Sequence, residues 1–347
     1  MKKKILIGVI SVFTLLLIEF TTYYFVSLGP VNKRDKNEII FEVKPNTSKV
    51  DIAKNLKKQK LVKNDKTVIL YMFFNSDLNL QAGKYSLDQS MSVKEILNKI
   101  KNGDIRVETV NLTLIEGKRL TNYVKLISEA YGYSEDEIIE TINDKEFLKD
   151  MIKKYWFLTD EILSDNIYYG LEGYILPDTY ELMSNYSIKD IFIRLLDYTD
   201  KKLEPFKNDF NNSSYSVHQI LTMASIIELE ANSESDRKTV SQVIYKRLAS
   251  NMSLGMDVTT YYASKKEMGE ELTYKDLMDD NAYNTRNLNK IGLPAGPICN
   301  PSIMSIKAAF NPSNTDYLYF YADIKTGLVY FAKTSAEFNQ IIREVGW

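Results

Sequence analysis

From Ile5 to Val26 the chain carries one charged residue, Glu19, and Lys2, Lys3 and Lys4 stand immediately before that run. Roughly 20 apolar residues in a helix cross the ~30 Å hydrocarbon core of a bilayer. The first expectation is therefore a single membrane anchor over residues 5–27. Residues 1–4 form a cytoplasmic tail, because lysines ahead of a first span favour the cytoplasmic side. Tyr23 and Tyr24 fall where an aromatic belt meets the outer interface. Lys33, Arg34 and Lys36 follow the run and blur the charge asymmetry. Ile5 to Ile18 alone also fits the apolar core of a cleaved signal peptide. No clear small-x-small cleavage site follows, which favours an uncleaved anchor. Both readings export the remaining residues.

Outside that run, scarcity narrows the chemistry. The net charge is −2, so no basic field draws nucleic acid. One histidine, His218, and one cysteine, Cys299, exclude an internal disulfide and any zinc site built from several His and Cys ligands. A Ser-His or Cys-His nucleophile would need His218, which lies in an apolar helical stretch where a structural role is the commoner one. Carboxylates are left as the acid–base groups, and no cofactor is expected.

Pattern then divides the chain. Residues 28–38 are polar with Gly and Pro and read as a linker. Residues 39–108 show strand-like Ile39–Val43 and a helix with Val50, Ile52, Ala53 and Leu56 on one face. Strand-like Gly83–Leu87 follows, and then a helix capped by Ser92 and stopped by Gly103. These units are too short for a dinucleotide-binding half and lack its glycines. They suit either a LysM-like wall-binding module or a spacer. A third strand is expected from Val107 to Ile115. Residues 109–347 then mix helices with a loop or short extended piece at 171–181. Ser216-x-x-Gln219 reads as a capping box. A second amphipathic helix runs from about Ser235 to Leu248, followed by a Gly/Pro-rich loop at 281–301. A hairpin closes around Lys325-Thr326-Gly327, and Thr334-x-x-Glu337 caps a last helix. The expected class is α+β: membrane helix, small βα module, then a mixed catalytic domain.

Two glutamates sit in the apolar string Ala224-Ser225-Ile226-Ile227-Glu228-Leu229-Glu230-Ala231. Spaced by two, they lie about 200° apart around a helix and cannot share one cleft. Glu228 shares a face with Ser225 and Asn232, whereas Glu230 reads equally as a solvated rim residue. A glutamate among apolar residues is desolvated, which raises its pKa and keeps it a proton donor near neutrality.

This string, with LEGYILPDTYEL upstream and GMDVTTYYA, AYNT, GLPAGPICNPS and YLYFYAD downstream, resembles the MltG (YceG-like) family of lytic transglycosylases over residues 40–345. The resemblance implies that Glu228, the first glutamate of the string, is the catalytic acid/base. It would protonate the bond between N-acetylmuramic acid and N-acetylglucosamine. It would then take the proton from the muramic 6-hydroxyl, leaving a 1,6-anhydro end. Tyr174, Asp178, Tyr180, Ser225, Asp257, Tyr283, Asn284 and Thr285 are candidates for the sugar cleft. Peptidoglycan strands are the implied substrate, with peptidoglycan synthases or divisome and elongasome proteins as partners. Two rivals stay open: an anchored wall-binding scaffold, and a hydrolase pairing Glu228 with Asp178 or Asp257.

Overall fold

The computed structural model describes residues 2–106, 108–323 and 326–345. Val107 of the expected third strand and Lys325 of the expected hairpin turn lie outside them. The chain forms two compact units, Met1–Glu108 and Thr109–Trp347.

The first unit runs α1 (Lys2–Leu28), β1 (Ile39–Val43), α2 (Lys49–Lys58), α3 (Asp65–Phe74), β2 (Gly83–Leu87) and α4 (Val93–Asn102). Strands β1 and β2 pair antiparallel, Ile39 opposite Leu87 and Val43 opposite Gly83. Their period-2 pattern turns Phe41, Val43, Tyr85 and Leu87 inward, where Ile52, Leu56, Ile96 and Ile100 from α2 and α4 meet them. Helix α4 starts at a Ser92–Glu95 capping box and stops at Gly103, held at φ 67°. Sequence reasoning missed α3. Val68 and Met72 are buried, but Phe73 and Phe74 point outward, so no amphipathic stripe announces the helix. Within α1, Ile10–Leu28 is long and apolar enough to cross a membrane. The expected linker is joined to this unit: Leu28 packs on its core and Asn32 N–H donates to Gln89 O at 3.0 Å.

The second unit continues with β3 (Thr109–Leu114), α5 (Leu120–Tyr131), α6 (Glu135–Asn143), α7 (Lys145–Lys154), β4 (Asp178–Met183), α8 (Ile188–Leu203) and α9 (Lys207–Asn212). Then follow α10 (Val217–Glu230), α11 (Glu234–Ala249), α12 (Asp257–Ala263), α13 (Tyr274–Met278), α14 (Ile303–Phe310), β5 (Tyr319–Ala322), β6 (Val329–Ala332) and α15 (Ser335–Val345). The segment expected to be loop or extended contains β4, which pairs antiparallel with β3, Leu114 opposite Asp178.

Helix α10 is the hub. Ile220 to Ile227 are all buried, so it is apolar all round and must sit inside other helices. Helices α11 and α14 pack against it. Its N-terminus is the expected capping box: Ser216 accepts from Gln219 N–H, and Gln219 returns to the Ser216 N–H. Ser225 Oγ accepts the Ile298 N–H at 3.0 Å and so fastens the Gly/Pro-rich loop onto the helix.

Candidate active site

Glu228 and Glu230 leave α10 on opposite sides, and their surroundings differ in kind. Glu228 points into the packed interior, its side chain 4% exposed. One carboxylate oxygen lies 3.1 Å from Arg237 Nη2 on α11. The other accepts the backbone N–H and the hydroxyl of Ser302, at 2.8 and 2.5 Å. Ser302 is also the N-cap of α14, so one carboxylate ties α10, α11 and α14 together. The desolvation expected of Glu228 is present. A guanidinium and two hydrogen-bond donors surround the carboxylate, because a charge taken out of water must be paired.

Glu230, read as an equal candidate for a rim residue, occupies the last turn of α10 and lines a cavity of about 300 Å³. Leu229, Ala231 and Asn232 form the same wall. Met268 and Gly269 form another, and Ala322, Asp323, Gly327 and Val329 of the hairpin region close the third. No protein hydrogen bond reaches the Glu230 carboxyl among the described residues. Burial, followed by the negative charge of Asp257, pushes its pKa up to about 8, against smaller opposing effects of Arg286 and Arg247. Its place at the helix C-terminus acts in the same direction as Asp257, since that end carries partial negative charge. Asp257 is itself held by Arg286, with Oδ1 and Nε 2.7 Å apart.

Of the expected cleft residues, Asp257 alone is brought into the electrostatic reach of Glu230. Tyr174 is buried with its hydroxyl 2.7 Å from His218 Nδ1, while the opposite ring nitrogen meets Ala295 O at 2.8 Å. Tyr180 is buried against Tyr198, its hydroxyl donating to Leu176 O. Tyr283 packs among Tyr168 and Tyr262. Asn284 takes the Thr260 hydroxyl and donates to Asp276 O, Leu277 O and Asp279 O, closing the end of α13. Thr285 joins Thr259 and the Met256 N–H. Asp178 is drawn to Lys202 at 3.0 Å on the flank of β4. Ser225 is the loop fastener already described. Most of these side chains spend their polar atoms on the protein, whereas the Tyr283 hydroxyl is buried with no hydrogen-bond partner among the described residues.

A second buried carboxylate escaped sequence reasoning. Glu172 is 1% exposed and accepts the Leu120 N–H at 2.8 Å, the Tyr262 hydroxyl at 3.0 Å and Asn300 Nδ2 at 3.2 Å. Asn300 also donates to Lys118 O and accepts the N–H groups of Gly173 and Ile175. Gly173 is required here: its φ is +82°, and a β-carbon would run into the Pro297 ring. The only hint in the sequence is that polar residues stand inside tight Gly/Pro loops.

Burial raises the Glu172 pKa from 4.5 to about 8. The folded state thus holds this proton more tightly than the unfolded chain, so the associated stability is complete below pH 4.5 and is lost as pH rises through 8. One such group contributes a slope of roughly 1.4 kcal/mol per pH unit at most. Thermal unfolding between pH 5.5 and 8 should show a melting temperature that falls more steeply for the wild type than for Glu172→Gln. Parallel slopes would mean that Glu172 is ionised in the fold.

These features define a class first: an α+β protein in which a buried carboxyl, Glu230, lines a cavity. The sequence profile of the YceG-like family matches residues 41–344, and the chain belongs to that family. It is 34% identical over 315 residues to the endolytic murein transglycosylase of Bacillus subtilis, covering 90% of this chain and 86% of that protein. It is 28% identical to the endolytic murein transglycosylase of Streptococcus pneumoniae serotype 2, covering 93% of this chain and 61% of that longer protein. A crystal structure of a YceG-like protein from Listeria monocytogenes superposes with a TM-score of 0.63 at 36% identity, covering 88% of this chain and 99% of that one.

Proposed function

We propose that this chain is an endolytic murein transglycosylase. It cleaves the N-acetylmuramic acid–N-acetylglucosamine bond of peptidoglycan strands and leaves 1,6-anhydro ends. The observation that carries the mechanism is Glu230: it lines the cavity, no protein hydrogen bond reaches its carboxyl among the described residues, and burial pushes its pKa up to about 8. A raised pKa favours the protonated form near neutral pH, which can donate to the glycosidic oxygen. The resulting carboxylate accepts the proton of the muramic 6-hydroxyl as that oxygen closes onto C1. The nucleophile belongs to the sugar, so its effective concentration is high and no water need be positioned. Arg247 and Arg286 favour the ionised form that exists between the two proton transfers.

In this reading Glu230, rather than the Glu228 that the family resemblance implies, supplies the proton. The Glu228 oxygens are occupied by Arg237 and Ser302, which suits a residue that positions α10 against α11 and α14. Asp257 beside Glu230 supports a second reading, a two-carboxylate hydrolase. Mass spectrometry of a peptidoglycan digest separates them. Transglycosylation gives muropeptides lighter by one water, whereas reducing ends would establish hydrolysis. Because the acid must be protonated in the free enzyme, kcat/KM should fall as pH rises through about 8. A profile flat to pH 9.5 would remove Glu230 as the donor.

The apolar part of α1 anchors the protein in the cell membrane, with Lys2–Lys4 cytoplasmic and the rest of the chain outside. The strand–helix–helix–strand order of the first unit supports its reading as a LysM-like glycan-binding module. Peptidoglycan synthases of the elongation or division machinery are the expected partners, since strand termination acts on their product.

A further inference from the structure

The first unit carries two surface features that its fold does not explain. Phe73 and Phe74 end helix α3 at 75% and 71% exposure, although they are large rings in a unit with its own core. Residues 54–66 (KNLKKQKLVKNDK) hold six lysines and one aspartate, spread over the end of α2 and the start of α3. Taken separately, exposed rings and a lysine run are ordinary. Their position relative to α1 makes them informative.

Helix α3 begins against the far end of the apolar helix. Lys63 Nζ donates to Val26 O at 2.9 Å, and Asn64 Nδ2 donates to the Tyr23 hydroxyl at 2.7 Å. Helix α3 therefore starts at the outer end of α1, level with the aromatic pair, and packs against it. Ser27 is buried and Leu28 packs on the unit's core, so no free tether separates helix from module.

From this geometry we infer that α3 and the lysine segment form a docking surface for an anionic lipid bilayer. The inference rests on α1 being a membrane span. A 10-residue helix that starts at the outer end of the span advances only about 15 Å, which keeps Phe73 and Phe74 within reach of the interface, where large rings bury their apolar area. Lys57 and Lys63 bond backbone carbonyls, while the exposed Lys54, Lys58, Lys60 and Lys66 on the adjoining helices and turn are free to meet headgroups, where an anionic surface attracts basic side chains. The first unit thereby lies on the membrane rather than projecting from it.

The full chain provides the test, because Cys299 is buried and leaves an engineered cysteine as the reactive one. Phe74→Cys carrying an environment-sensitive fluorophore is reconstituted into vesicles of phosphatidylcholine alone or with phosphatidylglycerol, with quencher-bearing lipids. The expected result is a blue-shifted probe, quenched at least twofold with phosphatidylglycerol. Quenching should fall toward the phosphatidylcholine level when Lys54, Lys58 and Lys60 become glutamate. A probe at Phe13→Cys reports insertion of α1 independently. If it is quenched while the Phe74 probe emits as in water, the docking surface is overturned and the span stands. If neither is quenched, the span itself fails and the inference falls with it.

Discussion

Glu230→Gln should abolish release of anhydro-muropeptides, lowering kcat/KM by about 10²- to 10⁴-fold, the range for loss of a positioned general acid. The substitution keeps shape and removes the transferable proton. No protein hydrogen bond is lost among the described residues, and Glu230 lines the cavity. Melting temperature should therefore hold or rise slightly above pH 7, where the wild type must either ionise or retain an unwelcome proton. Activity within a few fold of wild type in the digest would transfer the chemistry to another group. Glu228→Gln measured alongside supplies the contrast, since its loss should be accompanied by a lower melting temperature.

Arg237→Met should produce the largest loss of stability from one substitution. Arg237 is 10% and Glu228 4% exposed at the side chain, and the pair spans α10 and α11. Removing one member of a buried pair strands the other charge, at about 3–5 kcal/mol. For a protein of this size each kcal/mol lowers the melting temperature by roughly 2–4 °C, so a fall of about 6–20 °C is expected by calorimetry. Glu228→Gln combined with Arg237→Met should recover part of that loss, because the uncompensated charge is gone. A double variant as unstable as the sum of the single ones would mean that the two side chains do not interact.

What could be read from the sequence divides along physical lines. Capping boxes at Ser92 and Ser216, the Gly103 stop and the final hairpin depend on neighbours a few residues apart, and all are present. The opposition of Glu228 and Glu230 on α10 follows from helix period alone, and the structure keeps it. Which of the two faces the cavity depends on Arg237 and Ser302, which lie on other elements and leave no periodic signature. Tyr174, Tyr180 and Tyr283 stand in motifs that the family resemblance made cleft candidates, yet aromatic rings fill a core equally well, and all three are buried. Strand β4 was obscured because Gly173 and Pro177 interrupt the segment just before it.

Asn300 has a bearing on the order in which the molecule can assemble. Its amide is shared among Lys118, Glu172, Gly173 and Ile175, partners 125 to 182 residues away along the chain. Contacts of such separation are unrewarded until long loops have closed, so they slow folding and form after local structure. Helices such as α10 can arise early from their own sequence, whereas the loop holding Asn300 must await the whole second unit. The cavity is in the same position, because its wall of Ala322, Asp323, Gly327 and Val329 exists only once the hairpin region has been made.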